Sequence, residues 1–290
     1  MNHKKAFSLI ELSIVILIIG ILVAGVTSSS RLINRMRLLT AQNITRSSPV
    51  TSIKDLSVWY ESSLDESFDT NEEVEDSPIT NWFDLNPQSS YKINSTQTDV
   101  NLKPKYKNNI FNGLPALLFD GTNDFMLANS VGISGKGLTI FMVARRNGLQ
   151  TFQGMLAGMS PGGTDDASTS GSFQAFYDNN GGSLISISAG VWYSSVAQTV
   201  PRDNIAHILT TVFNGSNNIA YLNTNTGTTV NGSPTFSVDR LFIGCRFVNN
   251  PVFYYWGYIA EIIVFNRGLN SEERLAVTNY LSKKYNIKVS

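Results

Sequence analysis

The sequence predicts an N-terminal apolar α-helix long enough to cross a membrane, followed by an all-β sandwich of jelly-roll type that closes with one short α-helix. Three observations point there. A mostly apolar run of about 20 residues extends from Phe7 to Val26, and Glu11 is its only charge. From about Ile53 onward, a dozen short strand-like segments alternate with turn-forming residues. Near the C-terminus, Asn270 stands three residues before Glu273, which is a capping box at the start of a helix.

The N-terminal element comes first. His3, Lys4 and Lys5 precede the apolar run, as in a targeting signal. A secretory signal has a shorter apolar core, about 7–15 residues, with its small-residue cleavage site after that core. Here the core is longer, and the small residue Ala6 lies before it. A carboxylate within such a run is costly in hydrocarbon and calls for a partner. The segment Phe7-Ser8-Leu9-Ile10-Glu11 and its apolar continuation resemble the prepilin leader of type IV pilins and the related pseudopilins.

The resemblance implies that residues 1–6 are a leader cut by a prepilin peptidase between Ala6 and Phe7. Phe7 would then be N-methylated, and Glu11 would become the fifth mature residue. Ala6 stands where that family usually has Gly. In an assembled bundle Glu11 would pair with the Phe7 amine of a neighbouring pilin-like subunit, and breaking such a buried pair costs about 3–5 kcal/mol. The implied location is the bacterial inner membrane, with the head in the periplasm or outside the cell, and a pilus or cell surface after assembly. A plain membrane anchor with an incidental Glu11 is the competing reading. Arg31, Arg35 and Arg37 follow the run, so the positive-inside rule alone does not set the orientation.

Leu32, Ile33, Met36, Leu39 and Ala41 keep partial helical spacing, so the helix continues past the apolar run. Ser47-Ser48-Pro49 should end it, because a residue before proline avoids helical geometry. The expected organisation is leader 1–6, helix and stalk 7–46, linker 47–53 and head 54–290. Strands are expected over 56–60, 115–120, 125–128, 138–145, 152–159, 172–177, 183–188, 191–194, 206–213, 218–222, 241–244 and 254–265. Asn112-Gly113, Asn180-Gly181, Asn214-Gly215 and Asn231-Gly232 suit hairpin turns that need positive φ at both central residues. In the last helix, Ala276, Val277, Tyr280 and Leu281 form the packing face.

Composition removes several function classes. The formal net charge is zero, so electrostatics gives no case for nucleic-acid binding. Cys245 is the only cysteine, so no intramolecular disulfide forms, and its apolar setting reads as a buried structural thiol. His3 and His207 are the only histidines, which leaves too few ligands for a zinc site of Cys and His type. His207 lies in an apolar segment and reads as a core or edge residue.

Three stretches of the head resemble the laminin-G-like, concanavalin A-like jelly-roll family. They are Leu56-Ser57-Val58-Trp59-Tyr60 with Asn81-Trp82-Phe83-Asp84; Asn112 to Asp124, containing Phe119-Asp120-Gly121; and Gly257 to Asn270, with Tyr280-Leu281 and Lys284-Tyr285 beyond. That family includes glycan-binding and protein-binding modules, some holding calcium, and some glycoside hydrolases. Phe253-Tyr254-Tyr255-Trp256 cannot all face inward in a strand, because neighbouring side chains alternate faces. Tyr254, Tyr255 and Trp256, with Trp192 and Tyr193, are therefore candidates to stack on a sugar or a protein, against core or edge packing.

Two acidic stretches are calcium candidates, residues 65–76 and Asp165-Asp166 beside Gly162-Gly163, with a solvated loop as the competing reading. Glu261 reads as a structural ion-pair partner of Arg267 or Arg274. No strand carries the alternating carboxylates that glycoside hydrolysis on this fold uses, so no catalysis is expected. The resulting expectation is a pilin-like surface subunit whose head binds a glycan or protein in adhesion. Other readings are a structural pseudopilin of a type II-like secretion system or a membrane-tethered carbohydrate enzyme.

Overall fold

The structure is a computed structural model that describes residues 9–148, 152–178, 184–189, 195–199, 204–232 and 235–289. Helix α1 (Leu9–Arg46) ends where the Ser47-Ser48-Pro49 step predicts, and Pro49 opens a short 3₁₀ turn. Among the described residues no helix is long and apolar enough to cross a membrane, so the expected span at 7–26 is not a feature of the described residues. The described side chains of α1 between Leu9 and Val23 are bare apolar surface that the head does not cover. The last turns differ. Ala41, Gln42 and Thr45 are buried against the head, and so are Ser48, Val50 and Ile53 in the segment expected as a linker.

The head contains, in chain order, β1 (Leu56–Glu61), β2 (Asn81–Trp82), β3 (Ser95–Thr96), β4 (Lys105–Phe111), β5 (Leu114–Asp120) and β6 (Met126–Gly135). Next come β7 (Gly137–Arg146), β8 (Gln153–Met159), β9 (Phe173–Asp178), β10 (Leu184–Ala189), β11 (Ser195–Thr199) and β12 (His207–Asn214). The chain continues through β13 (Asn217–Leu222), β14 (Asn225–Asn231), β15 (Phe236–Ile243), β16 (Arg246–Val248), β17 (Asn250–Val252) and β18 (Trp256–Phe265), and α2 (Ser271–Tyr285) closes it.

Two antiparallel sheets face each other. The front sheet runs β14-β13-β12-β7-β18-β5-β4, and β1 lies beside the second half of β18. The back sheet runs β11-β10-β9-β8-β15-β6-β3-β2. Alternation along each strand sends one set of side chains into the space between the sheets. Tyr60, Trp82, Phe119, Phe213, Phe236 and Leu241 belong to that core. A second core lies on the outer face of the front sheet, where Phe111, Phe141 and Phe265 meet Val277, Leu281 and Tyr285 of α2 and Ala41 of α1.

One of the expected Asn-Gly hairpin turns forms as expected. Asn112 and Gly113 have φ of 54° and 85°, as the β4–β5 hairpin requires. At Asn214-Gly215, which joins β12 to β13, only Gly215 has a positive φ, 86°, and Asn214 Oδ1 instead accepts from the Ser216 and Asn217 amides. Asn231-Gly232 leads from β14 of the front sheet to β15 of the back sheet and so closes no hairpin, and Asn180-Gly181 lies outside the described residues. Asn270 accepts a hydrogen bond from the Glu273 amide at 2.9 Å, and the Glu273 carboxylate accepts one from the Asn270 amide, completing the capping box.

One polar cluster ties these layers together. Glu61 on β1 and Glu261 on β18 are directly opposed, a like-charge pairing that is unfavourable alone. Lys284 of α2 reaches both, at 2.5 Å and 2.8 Å, and none of the three side chains is more than 1% exposed. Glu61 also accepts from the Ser63 and Leu64 amides and from the Ser63 and Ser67 hydroxyls. Glu261 accepts from Trp59 Nε1, Tyr280 OH and Tyr285 OH, each at 2.8 Å. Glu261 therefore is an ion-pair partner, but of Lys284. Arg267 instead bonds Glu273 and Asp55, and the Arg274 guanidinium lies 3.9 Å from the centre of the Tyr221 ring.

Burial alone would raise the Glu61 carboxyl, but the Lys284 ammonium and the Ser63 donors hold it below the usual range. The ion pair thus adds stability above the unfolded carboxylate range, and that contribution is lost as pH falls through the lowered folded value. Lys284→Met leaves two buried carboxylates without their cation. It is expected to cost about 3–5 kcal/mol at neutral pH in urea unfolding, with the gap to wild type narrowing below about pH 4. A gap that is small, or that does not change with pH, would contradict this reading.

Candidate aromatic rim

The loop that leads into β18 forms one edge of the sandwich, beside the β16–β17 ribbon. Its aromatic residues divide between core and surface. Tyr255 is fully buried, with its ring 6.4 Å from Phe119. Tyr254 is half-buried and donates its hydroxyl to the Pro251 carbonyl at 2.8 Å. Phe253 and Trp256 remain 44% and 38% exposed. Of the three candidates on this loop, Trp256 is therefore the exposed one, Tyr255 is a core residue, and Phe253 joins the surface.

Phe152, next to the start of β8, meets Phe253 edge to face with ring centroids 5.7 Å apart. Both phenylalanines have left-handed backbones, with φ of 60° and 52°. Bulky side chains rarely adopt this region, and a residue held there costs on the order of 1–3 kcal/mol. The fold fixes it through the backbone: the Gly154 amide donates to the Phe253 carbonyl at 2.7 Å. One residue away, Gln153 Oε1 accepts from the Trp256 amide at 3.0 Å while its Nε2 donates to the Gly148 carbonyl at 2.8 Å. The Trp256 ring lies so close to Gly148 that a Cβ there would meet it at 2.2 Å.

Asp165 and Asp166, expected as calcium candidates, serve this same rim. Asp166 is fully buried and bonds the Arg246 guanidinium at 2.8 Å and the Phe247 amide at 2.9 Å. Burial pushes its carboxyl above the usual range, against the pull of Arg246. Asp165 Oδ1 accepts from the Ala167 and Ser168 amides and so shapes its own turn. Asp166 is therefore the counter-ion of Arg246, whose guanidinium carbon sits 5.5 Å from the Phe253 ring centre. Among the described residues no cluster of three or more His, Cys, Asp or Glu side chains is placed to hold a metal.

The other candidates are placed as follows. Trp192 and Tyr193 lie outside the described residues, and so do Ala6 and Phe7. Glu11 belongs to α1, with its side chain outside the description. Arg246 and Phe152 are parts of the rim that the sequence does not reveal, because no local pattern marks a phenylalanine with positive φ.

Comparison with known proteins adds two findings. Residues 1–27 match a family model described as the prokaryotic N-terminal methylation motif. The chain carries an N-terminal methylation motif. Its head shares its fold with domain 4 of an extracellular arabinanase from Geobacillus stearothermophilus, solved with arabinotriose. That match has a TM-score of 0.52 at 13% identity, over 78% of this chain and 98% of that domain. A sialidase from Trypanosoma rangeli aligns with a TM-score of 0.50 at 13% identity, over 80% of this chain but only 33% of the enzyme. These likenesses establish a jelly-roll β-sandwich. No curated protein matches the sequence.

Because Phe253 occupies a conformation that glycine adopts freely, Phe253→Gly is expected to leave the thermal midpoint of the protein unchanged or higher, the relief of strain offsetting the loss of a half-exposed ring. Trp256→Ala should likewise keep the fold. A large drop in melting temperature for either variant would mark the rim as core packing.

Proposed function

We propose that this chain is a pilin-like subunit of a bacterial envelope fibre whose non-catalytic head recognises a glycan or a protein through its aromatic rim. The observation that carries this reading is the methylation motif at residues 1–27 on the helix whose last turns are built into the head. In this reading residues 7–26 sit in the inner membrane before assembly, and a prepilin peptidase removes residues 1–6. Glu11 then sets the register against the Phe7 amine of the next subunit, since an unpaired carboxylate in that environment is costly.

Rigidly held rings support the recognition role. Phe253 and Trp256 are exposed, with the half-buried Phe152 packed edge to face against Phe253, and their apolar faces can cover the C–H face of a sugar ring or an apolar side chain, since a fixed ring loses little freedom on binding. The fate of the opposed carboxylate pair on β1 and β18 supports a non-catalytic head. Glu61 and Glu261 are sealed under α2 and neutralised by Lys284, where no glycosidic bond can reach them.

Three outcomes are expected. Mass spectrometry of the protein from its native membrane should show a chain that begins at Phe7 with a methylated amine, and an intact Met1 would overturn the reading. Glu11→Ala should still insert into the membrane but fail to enter fibres, and normal incorporation would remove the register role. On a glycan array, Trp256→Ala should lose signals that the parent protein gives. Silence from both would favour a structural pseudopilin.

A further inference from the structure

A groove apart from the aromatic rim lies on the outer face of the front sheet, on the side that carries α2. It is formed by the β4–β5 turn, the approach to β12, the turn at Asn223 and the residues that follow α2, and its cavity volume is about 460 Å³. Arg145 of β7 forms part of its wall.

The guanidinium of Arg145 is clamped between two rings. Its carbon lies 4.5 Å from the ring centre of Tyr258, its cross-strand neighbour on β18, and 5.8 Å from that of Phe111. Its one hydrogen bond is long, 3.4 Å from Nη1 to the Ile110 carbonyl, and its Nε is buried without a partner. Arg246 and Arg267 each have a carboxylate, whereas among the described residues Arg145 has no ion-pair partner. Lys288 is a second cation on the groove wall, and among the described residues no acidic side chain lines it. Asn112, Asn204 and Asn223 add amide groups, while Ile205, 49% exposed, and Ile110 add apolar surface.

This is the inventory of a site for a small anion-bearing ring. A planar guanidinium held in place by aromatic stacking keeps its fork ready for a carboxylate, and such bonds are stronger than neutral ones. The amides suit hydroxyl groups, and the isoleucines suit a C–H face. We propose that the groove binds a sugar residue bearing a carboxylate, a uronic acid in class, with Arg145 taking the carboxylate and Lys288 supporting it. The proposal rests on the reading that the head recognises glycans, and it names a second, charge-selective subsite apart from the aromatic rim.

The test titrates the detergent-purified full chain by calorimetry with sodium D-glucuronate, D-glucose and inorganic phosphate. Glucuronate should bind, glucose should bind at least about tenfold more weakly, and added salt should weaken the glucuronate signal. Arg145→Gln should reduce glucuronate affinity by about 10- to 100-fold with an unchanged melting temperature, and Lys288→Gln should reduce it less. If Arg145→Gln does not fold, the Lys288→Gln loss and the glucuronate-to-glucose ratio decide. Equal binding of glucuronate and glucose, phosphate binding as tightly as glucuronate, or full affinity in the Lys288→Gln or Arg145→Gln protein would overturn the proposal. Trp256→Ala separates the two readings: if glucuronate still binds there while array signals are lost, the groove is independent of the rim. Loss at the groove alone would leave the rim reading intact.

Discussion

The buried contact of Lys284 with Glu61 and Glu261 is the constraint on which the rest of the structure depends. Two carboxylates face each other across β1 and β18, in the middle of the front sheet's outer surface. That register is unfavourable unless a cation enters between them, and the cation comes from the last turn of α2. Helix α2 is therefore held at one rotation and one height. Its apolar face then covers Phe141 and Phe265, and its end forms one wall of the Arg145 groove. The same surface receives the last turns of α1, where Gln42 Nε2 donates to the Ser63 carbonyl and to Asp65, each at 2.9 Å. Ser63 is also a donor to Glu61, so the stalk helix and the acid pair share one short loop.

This arrangement bears on what an assembly signal can carry. A head on a free tether would sample many orientations about the fibre. Here α1 runs from the methylation motif into the head without a separate linker, and Ser48, Val50 and Ile53 of the following segment are buried against the head. The aromatic rim and the Arg145 groove then have fixed positions relative to the last turns of the helix. The rim is held by a different ion pair, Asp166 with Arg246, and by backbone bonds that force two phenylalanines into left-handed geometry. Strain of this kind persists only where its surroundings over-determine it.

Where local physics decides, the sequence carries the signal. The proline step ends α1, Asn112-Gly113 makes its hairpin, Asn270 caps α2, and Asp120 accepts from the Thr122 and Asn123 amides in its turn. Long-range choices were not legible. Glu261 has Arg267 and Arg274 nearby in sequence, yet its partner is Lys284, because only the path of α2 over the sheet brings an ammonium to that spot. Asp166 looked like a loop acid because its guanidinium lies 80 residues away. The short strands β2, β3 and β4 carry little alternation, since pairing with β6 and β5 holds them more than their own burial does.

The central claim is that stalk helix, acid pair and C-terminal helix form one cooperative unit. Hydrogen exchange followed by mass spectrometry on the full chain tests it most directly. Amides in the last turns of α1, residues 40–46, should exchange together with those of α2, at the rate of the head's central strands. In Lys284→Met both segments should lose protection in step. Rapid exchange of residues 40–46 in the wild-type protein, with α2 still protected, would contradict the account and return the stalk to a separate tether.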